Sequence, residues 1–130
     1  MNIHRTFFII AAVLGLTSVA IGAFAAHGLS NLLSEKALGW IDTGVQYQMF
    51  HTLAILLLAA CLKQSAQSRI LAYAAGCFTA GILLFSGSLY AMAITNLTGL
   101  ALLTPIGGVL FLIAWSLLIY AGIRLDAADK

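Results

Sequence analysis

Four stretches of this chain run for at least 18 residues without an Asp, Glu, Lys or Arg: 7–26, 45–62, 70–95 and 100–123. A helix rises roughly 1.5 Å per residue, and about 20 apolar residues cross a hydrocarbon layer roughly 30 Å thick. Within lipid every backbone donor and acceptor must be satisfied inside the segment, so these stretches are helices. The expected fold is all-α: a polytopic membrane protein forming a four-transmembrane-helix bundle over residues 1–130. In line with this, 62% of the 130 residues are hydrophobic and 8% are charged. A soluble domain carries roughly a quarter charged residues. The composition excludes a disordered chain, a disulfide scaffold and a nucleic-acid module.

The first stretch imitates a secretory signal: Arg5, an apolar run, then Ala23-Phe24-Ala25 as a cleavage site. Retention is expected, because the run is long for a signal and its removal would leave an asymmetric set of three helices. Orientation follows from the basic residues. Arg5, Lys63, Arg69, Arg124 and Lys130 fall on one side of a four-span topology and Lys36 on the other. Both termini are therefore expected in the cytoplasm, with Lys63 to Arg69 as a short polar cytoplasmic turn. The 3–4 connection, around Asn96-Leu97-Thr98-Gly99, is short and uncharged.

Between the first two spans, Leu29 to Gly44 is mixed. Leu29, Leu32, Leu33, Ala37, Trp40 and Ile41 recur at helical spacing, which suggests an amphipathic segment at the outer interface. Ser34 before Glu35 is a helix-start signal, and such a helix could run on into span two, with Gly39 and Gly44 as bending points.

Helices in lipid gain little from hydrophobicity, so small residues mark close crossings. Ser18, Gly22 and Ala26 recur every four residues in span one. Span three has Gly76 and Ala80, then Gly87 and Ala91, as two pairs at that interval. Gly107 and Gly108 follow Pro105 in span four. Pro105 suits the first turn of a helix, where its missing N–H costs nothing, leaving Leu100 to Leu103 as a shallow buried loop. A longer, Pro-kinked helix is the alternative.

The polar residues of the spans are expected to collect in the outer half. They are His27, Gln46, Tyr47, Gln48, His51, Ser86, Ser88, Tyr90 and Thr104. Tyr47, Gln48 and His51 share a helix face, and His51 lies roughly 9 Å below the start of span two as drawn. A span histidine is a functional-site hypothesis by default. Three readings stand: His51 bonds Ser86, Ser88 or Thr104 and fixes helix pairing; it handles a proton or ligand; or it joins His27 in holding haem. No third ligand has zinc spacing. Ser86-Gly87-Ser88 reads as close packing, since no carboxylate within the spans as drawn completes a triad. The missing acid also weakens a proton-coupled carrier. Phe111 and Trp115 read as core or lipid-facing anchors, and Cys61 and Cys77 as small hydrophobes.

These pieces together resemble a known group. Gly22-Ala23-Phe24-Ala25-Ala26-His27, Thr43-Gly44-Val45-Gln46-Tyr47-Gln48-Met49-Phe50-His51-Thr52-Leu53-Ala54-Ile55, Leu84-Phe85-Ser86-Gly87-Ser88-Leu89-Tyr90, Thr104-Pro105-Ile106-Gly107-Gly108 and Ala121-Gly122-Ile123-Arg124 are similar to the YgdD-like small inner-membrane proteins, a family of unknown function. The match covers every span. Ala25 departs from it, standing where the family more often has Gly. The resemblance implies an uncleaved first helix, four spans and a bacterial cytoplasmic membrane. It implies no activity and no cofactor. The expected role is a non-enzymatic accessory or assembly protein with an outer polar pocket, in contact with lipid and with a membrane-protein partner or a second copy, and without nucleic acid. The alternatives are a small oligomeric channel or transporter for a neutral or weakly basic solute and, behind it, a bis-His haem protein.

Overall fold

The computed structural model describes residues 2–62 and 68–128. Four long helices follow in order: α1 (Ile3–Phe24), α2 (Glu35–Cys61), α3 (Ser68–Thr95) and α4 (Leu103–Ala128). All four are long and apolar enough to cross a membrane. A π-helical turn, Ala25–Leu29, continues α1, and a 3-10 turn, Thr98–Leu102, precedes α4. Lys63 and Lys130, two of the residues behind the expected orientation, lie outside the described residues, as does most of the Lys63 to Arg69 turn.

The helix ends follow local chemistry. Ser34 is extended (φ −67°, ψ 156°) and its Oγ accepts from the Ala37 N–H at 3.2 Å. This cap satisfies an orphan donor, and Glu35 in the first turn suits the helix dipole. So the helix-start signal at Ser34 opens α2 itself. The expected amphipathic segment is the Leu29–Ser34 turn plus the first turns of a helix that runs unbroken through Gly39 and Gly44. At the far end of α3, Asn96 takes the left-handed conformation (φ 58°), and its N–H still donates to Met92 O at 2.9 Å. Asparagine tolerates this geometry and ends the helix sharply. Pro105 falls in the first turn of α4, as its missing N–H favours. The expected buried loop Leu100 to Leu103 is instead the end of the Thr98–Leu102 3-10 turn and the first residue of α4, with Leu102 76% exposed.

Helices pack in chain order: α1 on α2, α2 on α3, α3 on α4. Among the described residues no Cα of α1 or α2 comes within 8 Å of an α4 Cα. The bundle is therefore open on one side, with α1 and α4 as flanks. Small residues set the close crossings. The position of a Cβ on Gly22 would lie 3.4 Å from Val45, and one on Gly15 would lie 3.7 Å from Thr52. One on Gly44 would enter the Tyr90 ring at 2.6 Å, and one on Gly107 would reach Phe85 N at 2.5 Å. By contrast Gly76 and Gly87 face open space, and Gly108 meets Phe85 only at 4.0 Å. Of the small residues expected at crossings, Ser18, Gly22 and Gly107 are used inside the chain, and Gly87 is not.

The larger core cluster, around Ile55, Ala75, Phe78, Ile82, Phe111 and Ala114, draws on α2, α3 and α4, with Ala11 joining from α1. A smaller one, Ala37, Ile41 and Ala93, seals the end that carries the α1–α2 and α3–α4 connections. The hydroxyls of Thr79 and Ser116 donate to Ala75 O and Leu112 O, both at 2.8 Å. These bonds within one helix make the side chains tolerable in lipid.

Candidate functional site: polar seams and an open cleft

The polar side chains do not converge on one pocket. They form four hydrogen-bonded seams strung along the bundle. Nearest the paired connections, Ser88 Oγ and Thr104 Oγ1 lie 2.7 Å apart and join α3 to α4. Next, fully buried Ser86 donates from Oγ to Gly44 O at 2.7 Å, joining α3 to α2. The missing Cβ of Gly44 leaves room beside this bond for the Tyr90 ring.

Gln48 is the third seam and reaches two neighbouring helices. Its Nε2 donates to Leu14 O at 2.8 Å and to Thr17 Oγ1 at 2.9 Å on α1. Its Oε1 accepts from Tyr90 OH at 2.8 Å on α3. Both ends of one amide are thus saturated in a 3% exposed side chain. Ser18 Oγ adds a longer bond to Val45 O, 3.4 Å.

The fourth seam is His51. Because α2 starts at Glu35, His51 stands sixteen residues below that start, roughly 24 Å by helical rise and past the middle of the helix. Neither Ser86, Ser88 nor Thr104 reaches it. Its Nδ1 lies 2.7 Å from Tyr47 O, and Trp115 Nε1 donates to its Nε2 at 3.3 Å. An indole can only donate, so Nε2 is the acceptor and Nδ1 carries the proton. The ring is neutral and both nitrogens are used. It also stacks on Phe111 at 3.7 Å with an interplanar angle of 1°. Phe78 lies edge-on to Trp115 at 5.1 Å. Aromatic side chains thus bridge α2 and α4 where their backbones stay apart. Trp115, read from sequence as an anchor, is the His51 partner.

His27 stands apart from these seams. It is exposed, on the π-helical turn. Its neighbour Ala26 shares a cavity with Leu38, and His51 lies thirteen residues below Leu38, roughly 20 Å. That distance keeps the two histidines from sharing an iron. Gln46 also points outward, donating from Nε2 to Asp42 Oδ2 at 2.8 Å. Tyr47 is 45% exposed and stacks on Phe85 at 4.5 Å.

Between the flanks α1 and α4, α2 is left as the floor of an open cleft. Adjoining cavities of ≈ 220, 430, 350 and 270 Å³ run along it, linked through Val45, Gln46, Phe50 and Leu53. Asp42 lines the first, beside Gly22, Ala25 and Ala26 of the charge-free run before His27. Sequence reasoning placed Asp42 outside the spans, because it drew span two from Val45. The Ser34 cap was the signal that would have included it. The structure therefore puts a carboxylate on α2 at the outer edge of the apolar band.

One buried polar atom has no partner among the described residues: Thr52 Oγ1. Thr52→Val keeps the shape and removes the unmatched hydroxyl. A gain of about 1 kcal/mol is expected in reversible unfolding. A loss of stability would show that the hydroxyl is bonded after all.

Four apolar crossing helices, tied by internal polar seams, define an integral membrane protein of the α-helical class. Residues 21–108 match the family model described as "Protein of unknown function (DUF423)", and the chain belongs to that family. It is 49% identical over 115 residues to a UPF0382 membrane protein of Haemophilus influenzae, covering 88% of this chain and 91% of that one. To the UPF0382 inner membrane protein YgdD of Escherichia coli it is 47% identical over 122 residues, 93% and 92% of the two chains. To the UPF0382 membrane protein YwdK of Bacillus subtilis it is 38% identical over 120 residues, 92% and 98%. No solved structure matches the chain.

Proposed function

We propose that this chain is a non-enzymatic accessory or assembly protein of the cytoplasmic membrane, with both termini in the cytoplasm. One observation carries the reading: the buried polar seams are spent on one another. Gln48, Ser86, Ser88 and His51 all have partners within the bundle. Polar side chains so used fix which helices pair. They leave no nucleophile beside a base, the arrangement covalent catalysis requires. The outward faces are broad and apolar, with Leu16, Val19, Leu112 and Ile119 each more than 60% exposed. They suit lipid and a partner membrane protein or second copy. The relatives named as inner membrane proteins and the weight of Arg5, Arg69 and Arg124 at one end support the placement and direction.

His51→Ala tests this. The variant loses the Phe111 stack and leaves the Trp115 N–H unpartnered, so about 2–4 kcal/mol of stability should go. Liposomes carrying the wild-type protein should leak no faster than empty ones. A variant with unchanged thermal stability and complex formation but altered flux overturns the proposal. A reporter fused to the C-terminus should read as cytoplasmic, and a periplasmic signal reverses the topology.

A further inference from the structure

Asp42 is not used by any of the seams, and its surroundings differ from theirs. It is exposed and stands at the outer edge of the apolar band: Gly22 packs against Val45, which sets Asp42 level with Ala25, and Ala25, Ala26 and Ser30 line its cavity. Its Oδ2 accepts from Gln46, a neutral donor, at 2.8 Å. No salt bridge reaches it from the described residues. Arg5, Arg69 and Arg124 lie at the opposite ends of their helices, and Lys36 is drawn over the Trp40 ring at 5.2 Å. A carboxylate without a cationic partner at the edge of a membrane-spanning segment is a candidate site for a cation.

The cleft below Asp42 supplies the rest of the description. Gln46, Phe50 and Leu53 follow on the same face of α2, and the apolar floor continues past them to Trp115 and Leu118 of α4. Phe50 is 63% exposed and Tyr47 45% exposed along this path, offering aromatic faces next to a cavity of ≈ 350 Å³. An uncompensated carboxylate at the head of an apolar, aromatic-edged cleft complements one kind of occupant. We propose that the cleft binds lipophilic cations: an ammonium or phosphonium centre bearing aromatic or alkyl groups. The charge lies beside Asp42, and the apolar groups lie along Phe50 and Leu53. Cation–π attraction and charge pairing both strengthen away from water. An anionic phospholipid would set a phosphate against the carboxylate and is disfavoured. The inference is independent of the accessory role, since it concerns the cleft and not the outer flanks.

The probe is tetraphenylphosphonium, with neutral triphenylphosphine oxide for comparison, added to the full chain in phosphatidylcholine nanodiscs. Saturable binding of the cation is expected, about tenfold tighter than of the neutral compound. Asp42→Asn should weaken it about tenfold or more, and Asp42→Glu should stay within about threefold of wild type. Phe50→Ala should weaken it about threefold or more, and Leu83→Ala, on an exposed α3 position outside the cleft, should not. Circular dichroism confirms folding, and if Asp42→Asn fails it, Asp42→Glu and Phe50→Ala decide. Absence of saturable binding overturns the proposal, as does equal affinity for the neutral probe or an undiminished signal in folded Asp42→Asn. Native mass spectrometry showing a second copy cross-linked through position 42 also overturns it, because the cleft would then be an interface.

Discussion

Gly107→Ala is expected to destabilise the protein by about 3 kcal/mol or more, a large loss for a single methyl group. The new Cβ would stand 2.5 Å from Phe85 N and 2.8 Å from Gly81 O. Both are backbone atoms, so no rotamer change relieves the clash and α3 and α4 must separate. The crossing is reciprocal, because a Cβ on Gly81 would meet the Phe111 ring at 2.6 Å and Gly107 O at 3.1 Å. Separation carries further consequences. Thr104 lies one turn before Gly107 and bonds Ser88, while Phe111 lies one turn after it and stacks on His51. Two seams therefore weaken together. Gly87→Ala is the matched control: nothing lies within 4 Å of its Cβ. Alanine is the better helix former, so a change between zero and a gain of about 1 kcal/mol is expected there. Reversible unfolding in mixed micelles measures both. Equal midpoints for Gly107→Ala and wild type, or a larger loss for Gly87→Ala, would show that the α3–α4 contact is not set by this glycine.

The contrast between those two glycines marks how far the sequence could be read. Four spans were legible because a charge-free run of that length has one structural outcome in lipid. The pairing of small residues was not, because Gly87 and Gly107 carry the same local signal and differ only in what lies opposite. The polar residues were recognisable one by one through their cost in hydrocarbon. Their partners were not. Gln48 reaches Thr17, 31 positions earlier, and His51 meets Trp115, 64 positions later. Trp115 was hidden by its type, since an indole in a span normally serves as an anchor. Asp42 was hidden by a boundary. Hydropathy ends a span at the first charges, whereas the helix ends at its cap, and Ser34 lies eight residues further out. The depth drawn for His51 shifted for the same reason.

Gln48→Leu should cost about 2–4 kcal/mol, and the loss should be felt first by α1. Interhelical hydrogen bonds in membranes average about 0.6 kcal/mol and reach about 1.7. Three are removed here: those to Leu14 O, Thr17 Oγ1 and Tyr90 OH. The Tyr90 hydroxyl is left without its acceptor, a penalty of about 1–3 kcal/mol. Thr17 loses less, because its hydroxyl also donates to Val13 O at 3.0 Å. Leucine fills much of the space, so a cavity contributes little. What remains to hold α1 is shape: Gly15 against Thr52, Gly22 against Val45, and the long Ser18 bond at 3.4 Å. The α3–α4 crossing is untouched. Amide exchange should accordingly rise along α1 while α3 and α4 keep their protection. Tyr90→Phe separates the two contributions. Alone it should cost about 1 kcal/mol, and in the Gln48→Leu background it should cost almost nothing or restore stability, because the orphaned hydroxyl disappears. Additive losses in the double variant, or exchange that rises equally in all four helices, would mean that Gln48 does not join α1 and α3 through one amide.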